Sequence, residues 1–316
     1  MKTCKILFMG TPDIAVSMLD RILKDGYEVV GVVTQPDKKA GRKQQLKMPE
    51  VKVRALKEGL NIYQPMKIKD AVEELMQLDI DLIVTCAYGQ FIPSKLLEYP
   101  TYGSINVHAS LLPKLRGGAP IHKAIIHGDK QTGMSIMRMV KAMDAGAVMR
   151  QCIVDIEEDD TTGILYDKLA KAGAQLLSEC IPDIISGNAV FHEQEEGEAT
   201  FAYTIQKEEE YIDFSMPLQK VYDHIRGLIP FPIGYAKIDG KNMKFYQARK
   251  KVQQHAHTAG EIIGLMDGGF GVAVDGGYIL LDELQLEGKA KCDAKSFYNG
   301  AGRNLIGKRF VYKDER

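Results

Sequence analysis

The sequence predicts an α/β domain with a largely parallel sheet, followed by a small β-barrel domain. The chain has 316 residues, about twice the length of a typical domain. Its first half alternates short apolar runs with helix-like segments, whereas its last third carries short strand-like runs broken by Gly and Asp. We therefore predict a first domain over residues 1–190, a linker over 191–207 and a second domain over 208–316.

Strands and helices alternate along the first half of the chain. Short apolar runs predict buried strands, and apolar residues spaced three or four apart predict helices. This alternation is typical of parallel strands joined by crossover helices. The predicted strands are 6–9, 29–34, 82–85, 105–108, 134–139 and 148–155, and the predicted helices are 14–24, 51–57, 71–77, 121–127 and a long one from 161 or 162 to 185.

The pattern changes near residue 190. Residues 192–198 contain four glutamates and no long apolar run, which predicts an exposed linker. Beyond residue 207 we predict a single helix, 218–228, among short strands whose spacing fits a small barrel. Those strands are 234–238, 243–248, 260–266, 271–274 and 278–281.

Composition excludes several classes of protein. Forty-one basic residues against 42 acidic ones give a net charge of −1, which excludes a wholesale polyanion binder. No run approaches the ~20 apolar residues of a membrane span, and the N-terminal apolar run is too short for a signal peptide. The five cysteines are far apart, without metal-ligand spacing. We expect a cytoplasmic protein without a disulfide framework or a metal.

Asn106 and His108 are the first candidates for chemistry. They share one face of a predicted strand, near its C-terminal end, where ligands of open α/β sheets bind. An Asn amide can donate to a developing oxyanion, and an imidazole can move a proton near neutral pH. Such a pair alone is more often a plain hydrogen-bonded strand end.

Two further segments accompany this pair. Residues 110–120 contain two prolines and two adjacent glycines, which indicate a shaped loop, and its apolar Leu111 and Leu112 suggest that it folds over a flat apolar group. Asp144 lies in a short turn and could orient His108 or accept a proton from an amine. Gly10-Thr-Pro is only a weak dinucleotide signal, and there is no Gly-rich loop ending in Gly-Lys-Ser/Thr.

Two local clusters of positive charge interrupt the balanced composition. Residues 34–57 contain eight basic residues against two acidic ones, and residues 237–251 contain six against one. Such runs are usually solvated surface. Two of them, one in a Gly-containing loop and one on the predicted barrel, favour an RNA-binding surface.

These residues together resemble the folate-dependent formyltransferases, and within that family the methionyl-tRNA branch. Asn-x-His followed by Ser-Leu-Leu-Pro, here residues 106–113, is a strong signature of the family. The Thr-Gln-Pro-Asp loop at 34–37 and the second domain point to the tRNA branch. The similar segments are 8–12, 33–37, 40–42, 87–89, 92–93, 105–108, 110–113, 116–117, 119–120 and 143–146.

The resemblance implies a Rossmann-like domain and a barrel related to the OB fold. It implies transfer of a formyl group from 10-formyltetrahydrofolate to the amino group of initiator Met-tRNA, in translation initiation. The implied catalytic residues are Asn106, His108 and Asp144. The implied folate contacts are Ser110, Leu111, Leu112, Pro113, Tyr88, Gly89 and Ile92. The implied tRNA contacts are Arg42, Lys38, Lys39, Lys43, Lys244 and Arg249. A monomer is the default expectation.

The implied mechanism is direct attack of the neutral amine on the formyl carbon, without a metal or a covalent enzyme intermediate. Asn106 would donate to the oxyanion, and His108 would stabilise that oxyanion or relay a proton to the departing folate nitrogen. Asp144 would orient the imidazole or take the amine's proton. The chain departs from the family at Ile14, where an aromatic is usual, at Ala147, commonly Asp, and at Phe231, commonly Trp.

Two alternatives stay open. A formyltransferase acting on an amino-sugar nucleotide or a purine precursor would share the first-domain signature, and only the basic loop and the second domain argue against it. An RNA-binding module without catalysis would share the basic clusters, but the intact Asn106, His108 and Asp144 argue against it.

Overall fold

The computed structural model describes residues 4–40 and 45–310, which form two compact units. The first unit contains the chain up to Pro120, Gln131–Asp155 and Tyr166–Tyr203. The second contains Ile121–Lys130, Ile156–Leu165 and the chain from Thr204. Of the predicted linker 191–207, residues 191–203 therefore belong to the first unit and residues 204–207 to the second. The domain limits 190 and 208 stay predictions.

A seven-stranded mixed sheet forms the centre of the first unit. The strands of this part of the chain are β1 (Lys5–Gly10), β2 (Glu28–Val33), β3 (Lys38–Ala40), β4 (Gln45–Lys47), β5 (Ile62–Tyr63), β6 (Leu82–Cys86), β7 (Ser104–His108), β8 (Gln131–Arg138) and β9 (Val148–Asp155). The sheet order is β5-β2-β1-β6-β7-β8-β9, parallel as far as β7 and antiparallel at β8 and β9. The prediction of a largely parallel sheet is confirmed.

Helices connect these strands. They are α1 (Asp13–Lys24), α2 (Glu50–Lys57), α3 (Val72–Leu75), α4 (Ser94–Leu97), α5 (Pro120–His127) and α6 (Thr162–Ser186). The strand order reverses between β1 and β6, because β2 lies on one side of β1 and β6 on the other. Crevices at such reversal points bind ligands in open α/β sheets. Gly10 ends β1 there, and a Cβ on it would lie 2.6 Å from Cβ of Ala15.

Buried apolar strands hold this edge in place. Every residue of β6 is buried, as expected for a parallel strand covered on both faces. Its side chains and those of β1 pack against apolar residues of the segment 68–97, including Leu75 and Leu96. The carboxyl ends of β1 and β6 are therefore supported by a packed apolar core.

The basic segment that follows β2 differs from the prediction. Lys38–Ala40 and Gln45–Lys47 pair as an antiparallel hairpin, where the sequence favours a loop. Each strand has three residues, and Leu46 is exposed like the polar side chains beside it, so no alternation of buried apolar residues signals the strands. The positions between these strands lie outside the described residues.

An antiparallel sheet forms the centre of the second unit. From Thr204 onward, the strands are β10 (Tyr235–Ile238), β11 (Lys241–Val252), β12 (Ile262–Met266), β13 (Gly269–Val274), β14 (Gly277–Leu286) and β15 (Cys292–Asp293), and the α-helices are α7 (Leu218–Gly227) and α8 (Ala294–Asn299). The sheet order is β10-β11-β14-β13-β12, and β15 pairs with β14. Its core is aromatic: the rings of Phe214, Phe245 and Phe310 lie 4.9–5.9 Å apart. The predicted second domain built of short β-strands is confirmed, and its strands are antiparallel; closure into an OB-like barrel stays a prediction.

The prediction of a single helix in this unit is wrong. The additional helix α8 begins at Ala294 and is capped by Asp293, whose carboxylate accepts the backbone N–H of Ser296 at 2.9 Å. The helix buries Phe297 against Phe270. Six residues are too few for a clear helical period. Across the described ranges, no helix is both long and apolar enough to cross a membrane.

Candidate active site

Neighbouring strands β6 and β7 bring Thr85 and Asn106 together. Thr85 lies opposite Asn106 in the parallel register, and its hydroxyl donates to Oδ1 of Asn106 at 2.8 Å. The same hydroxyl lies 3.2 Å from the carbonyl oxygen of Ile105. Because Oδ1 of Asn106 accepts this bond, its Nδ2 keeps two N–H groups to donate to an incoming oxygen.

His108 ends β7 and is 7% exposed. Its Nε2 lies 3.2 Å from the carbonyl oxygen of Leu115, and its Nδ1 lies 3.7 Å from Oδ2 of Asp144. A carbonyl only accepts, so it favours the tautomer with the hydrogen on Nε2, which leaves Nδ1 as an acceptor. The gap from Nδ1 to Asp144 is longer than a hydrogen bond. A proton accepted at Nδ1 would therefore face a carboxylate.

The Asp144 carboxylate is held by a hydrogen bond from a backbone N–H group. Its Oδ2 accepts the backbone N–H of Gly117 at 2.8 Å, and its φ is +49°. A Cβ on Gly146 would lie 1.9 Å from the carbonyl oxygen of Arg138, so only glycine fits there. The structure thus brings the three predicted catalytic residues to one place. Ala147, where the family commonly has Asp, accepts the N–H of Arg138 at 2.8 Å through its carbonyl and closes the turn.

The predicted folate loop at 110–113 is fixed to β8 and β9. The Ser110 hydroxyl is buried and donates to the carbonyl of Lys114 at 2.6 Å, so it shapes the loop. Ser135 donates to the carbonyl of Ser110 at 2.6 Å, and Gln151 donates to the carbonyl of Leu112 at 3.0 Å. Leu112 is buried, whereas Leu111 and Pro113 are half-buried. The outward surface of this loop is therefore apolar, and its polar groups are used internally.

The second predicted folate segment buries the side chain of Tyr88 and exposes that of Phe91. Tyr88 is 4% exposed, and burial raises the pKa of its phenol to about 12. Its carbonyl accepts from Thr11 Oγ1 at 3.1 Å and from Gln35 Nε2 at 3.0 Å. Gly89 has a φ of +87°, and Ile92 packs into the same core as Tyr88. Phe91, which is not among the predicted folate contacts, is 77% exposed and presents an apolar ring.

The predicted tRNA contacts fall in both units. Lys38 and Lys39 are exposed on β3, Lys244 is exposed on β11, and Arg42 and Lys43 lie outside the described residues. Arg249 makes two hydrogen bonds to the carboxylate of Asp282, at 2.7 and 2.8 Å. Its charge is therefore already balanced, whereas no ion pair to Lys244 is found among residues 4–40 and 45–310.

Sequence reasoning missed two residues that form hydrogen bonds to the predicted catalytic residues. Thr85 could have been found, because it is a polar residue at the end of an apolar strand. Gln194 could not, since it lies in the glutamate-rich segment; its Nε2 donates to the carbonyls of Asp144 and Gly146, at 2.8 and 2.7 Å. Across residues 4–40 and 45–310, no group of three His, Cys, Asp or Glu side chains could hold a metal ion.

Family comparisons agree with this geometry over most of the chain. Residues 4–181 match the family described as Formyl transferase, and residues 204–302 match the Formyl transferase C-terminal domain. The methionyl-tRNA formyltransferase of Bacillus licheniformis is 47% identical over 315 residues, 99% of both chains. That of Bacillus cereus is 48% identical over 299 residues, 94% of this chain and 95% of the relative.

Solved structures share the fold at lower identity. An N-formyltransferase from Helicobacter canadensis, solved with folinic acid and dTDP-3-aminofucose, superposes with a TM-score of 0.68 at 19% identity, covering 88% of this chain and 98% of that one. A sugar 3N-formyl transferase, solved with dTDP and 5-N-formyl-THF, superposes with a TM-score of 0.66 at 21% identity, covering 92% and 100%. The predicted formyltransferase fold is confirmed. The near-full-length relatives show that the chain belongs to the methionyl-tRNA formyltransferase family.

Proposed function

We propose that this chain transfers the formyl group of 10-formyltetrahydrofolate to the α-amino group of initiator Met-tRNA. The observation that carries the proposal is the Asn106 amide: its oxygen is occupied by Thr85, and it lies on the same strand as His108, which is 3.7 Å from Asp144. An oriented N–H donor, a proton acceptor and a carboxylate are the groups that acyl transfer to an amine requires.

Asn106 would stabilise the charge that develops on the formyl oxygen. When the amine attacks the formyl carbon, that oxygen gains negative charge, and the Nδ2 hydrogens are positioned to donate to it. Losing one such donor typically costs about 10²–10³-fold in turnover. The Thr85 bond keeps the amide from turning its oxygen toward the same charge.

His108 and Asp144 would handle the amine's proton. Nδ1 of His108 can accept it, because the Leu115 carbonyl favours the hydrogen on Nε2. Asp144 would stabilise the resulting imidazolium from 3.7 Å. The leaving folate nitrogen then needs a proton, which the imidazolium can return. In this scheme the amine attacks directly, without a formyl-enzyme intermediate and without a metal.

The folate donor would lie against the apolar surfaces of the two fixed loops. Leu111 and Pro113 offer half-buried apolar faces, and the ring of Phe91 is exposed. The flat ring of a pterin matches these apolar faces.

The tRNA would bind through phosphate contacts from the exposed cations. Lys38, Lys39 and Lys244 are exposed, and phosphate contacts of this kind make affinity fall steeply with salt. By resemblance Arg42 and Lys43 would add contacts to the acceptor arm. Replacing Arg42 with Ala should raise the KM for tRNA and leave folate binding unchanged. The reaction would take place in the cytoplasm, with the chain acting as a monomer.

An acceptor panel tests the proposal. Formyl-labelled 10-formyltetrahydrofolate is incubated with the protein and, in parallel, initiator Met-tRNA, uncharged tRNA, an amino-sugar nucleotide or an aminated purine precursor. The proposal predicts label on Met-tRNA alone. Label on the sugar or purine acceptor instead would identify a small-molecule formyltransferase, and tRNA binding without folate binding would identify a non-catalytic RNA-binding protein.

A further inference from the structure

We propose that Gln194 is a positioning residue of the transfer site, which holds Asp144 at its distance from His108. The inference rests on the proposed function, because the distance matters only if Asp144 stabilises a proton that His108 has accepted. Gln194 lies in the glutamate-rich segment after α6, in the same unit as the site.

Both the nitrogen and the oxygen of the Gln194 side-chain amide form hydrogen bonds. Its Nε2 donates to the carbonyl of Asp144 at 2.8 Å and to that of Gly146 at 2.7 Å. Its Oε1 accepts from Nε and Nη2 of Arg116, at 3.0 and 2.9 Å. One amide thus joins the Asp144 turn to the loop that follows β7.

The Asp144 turn needs such support. Asp144 has a φ of +49°, a left-handed conformation that L residues adopt only at an energetic cost. The two bonds from Gln194 fix the carbonyls on either side of Ala145, which sets the direction of the Asp144 side chain. That side chain then accepts the N–H of Gly117.

Arg116, the hydrogen-bond partner of the Gln194 side-chain oxygen, is itself held in place by several bonds. Arg116 is 2% exposed, and its guanidinium donates to the Glu196 carboxylate at 2.8 and 3.1 Å. A buried cation requires such partners. Its backbone N–H donates to the carbonyl of Thr200 at 2.8 Å.

Arg116 lies in the chain between Leu115 and Gly117, whose backbone groups contact His108 and Asp144. On one side of it, the Leu115 carbonyl contacts His108, and on the other the Gly117 N–H contacts Asp144. Gln194 bonds to Arg116 and to the Asp144 turn, so it fixes both partners of the 3.7 Å gap. A displacement of about 1 Å at such a site can cost about 10²-fold in rate.

Two substitutions separate positioning from simple stabilisation. Gln194→Ala removes both links. Gln194→Glu keeps an acceptor for Arg116 but has no N–H for the carbonyls of Asp144 and Gly146. Glu193→Ala, at an exposed neighbouring position, is the matched control.

We expect both Gln194 variants to lower kcat by about 10- to 100-fold, with KM for folate and for tRNA changed less than about 3-fold. Gln194→Glu should lower the melting temperature less than Gln194→Ala does, because its carboxylate still pairs with Arg116. The control should match the wild type. An unchanged kcat in Gln194→Glu would overturn the proposal, as would a loss of kcat confined to Gln194→Ala and accompanied by a lower melting temperature.

Hydrogen exchange of the Gly117 amide gives a readout without substrates. This amide donates to Asp144, so it should exchange faster in both Gln194 variants and at the wild-type rate in Glu193→Ala. Unchanged exchange would refute the link. If the wild-type protein transfers no formyl group, the proposed function fails, and the exchange rates still decide whether Gln194 positions Asp144.

Discussion

The hydroxyl of Thr85 donates to the side-chain oxygen of Asn106 at 2.8 Å, across two parallel strands in register. This bond occupies the oxygen of the amide and leaves its Nδ2 hydrogens as donors. In the proposed mechanism, the polarity of the site would therefore depend on a residue of the neighbouring strand.

Thr85→Val should lower kcat about 10-fold, because Asn106 is then free to present its oxygen to the developing oxyanion. The substitution keeps the shape of the side chain, so we expect a stability loss of about 1 kcal/mol. Steady-state kinetics and thermal unfolding measure both effects.

Thr132→Val is the matched control for this change. The Thr132 hydroxyl is buried on β8 and has no hydrogen-bond partner within the described residues. Its replacement should leave kcat unchanged and keep or raise the melting temperature. Equal kinetics in the Thr85 and Thr132 variants would contradict the orienting role of Thr85.

Asp144→Asn should reduce turnover by about 10²-fold or more and leave tRNA binding nearly intact. The amide can still contact Gly117 N–H through its oxygen, but it no longer stabilises an imidazolium at His108. Single-turnover rates and a tRNA-binding titration separate the two effects. Unchanged turnover would remove Asp144 from the site.

The double substitution Lys38→Ala, Lys39→Ala should raise the KM for tRNA and reduce the salt dependence of binding by about 2 in the log–log slope. Both lysines are exposed, and no ion pair to either is found in the described part of the chain. Lys52→Ala is the control, since Lys52 already pairs with Asp37 at 2.7 Å. The Lys52 variant should lose stability and keep the wild-type slope. The reverse pattern would show that the hairpin does not contact phosphate.

Stability should fall as the pH drops below about 6.5. Burial lowers the pKa of His224 and of His122, so the unfolded chain binds protons that the folded protein does not. Their contribution is fully present above the unfolded pKa of about 6.5 and is lost as the pH falls toward the lowered folded values. Melting temperatures at pH 7.5 and 5.5 measure the loss.

The double variant His122→Gln, His224→Gln should show a smaller difference between those two pH values. A Gln amide can replace the ring nitrogens at the carbonyls of Phe231 and Glu209, to which the imidazoles now bond at 3.1 and 2.7 Å. The same pH dependence in the variant and the wild type would mean that other groups cause it.

Sequence patterns predict the parallel strands and the Asn106–His108 pair because these follow from apolar periodicity and strand alternation. They do not predict α8, which depends on one Asp cap and one buried Phe. Nor do they predict the role of Gln194, because a polar residue among glutamates has no periodic signal. Its importance comes from long-range contacts with a turn 48–50 positions earlier in the chain.

The most direct test of the account is a single-turnover transfer of labelled formyl from 10-formyltetrahydrofolate to initiator Met-tRNA, with wild-type protein and Asn106→Ala. The account predicts label on the methionine α-amino nitrogen, appearing about 10²–10³-fold more slowly in the variant. Label retained on the protein, label absent from tRNA while folate is bound, or equal rates in the two proteins would contradict it.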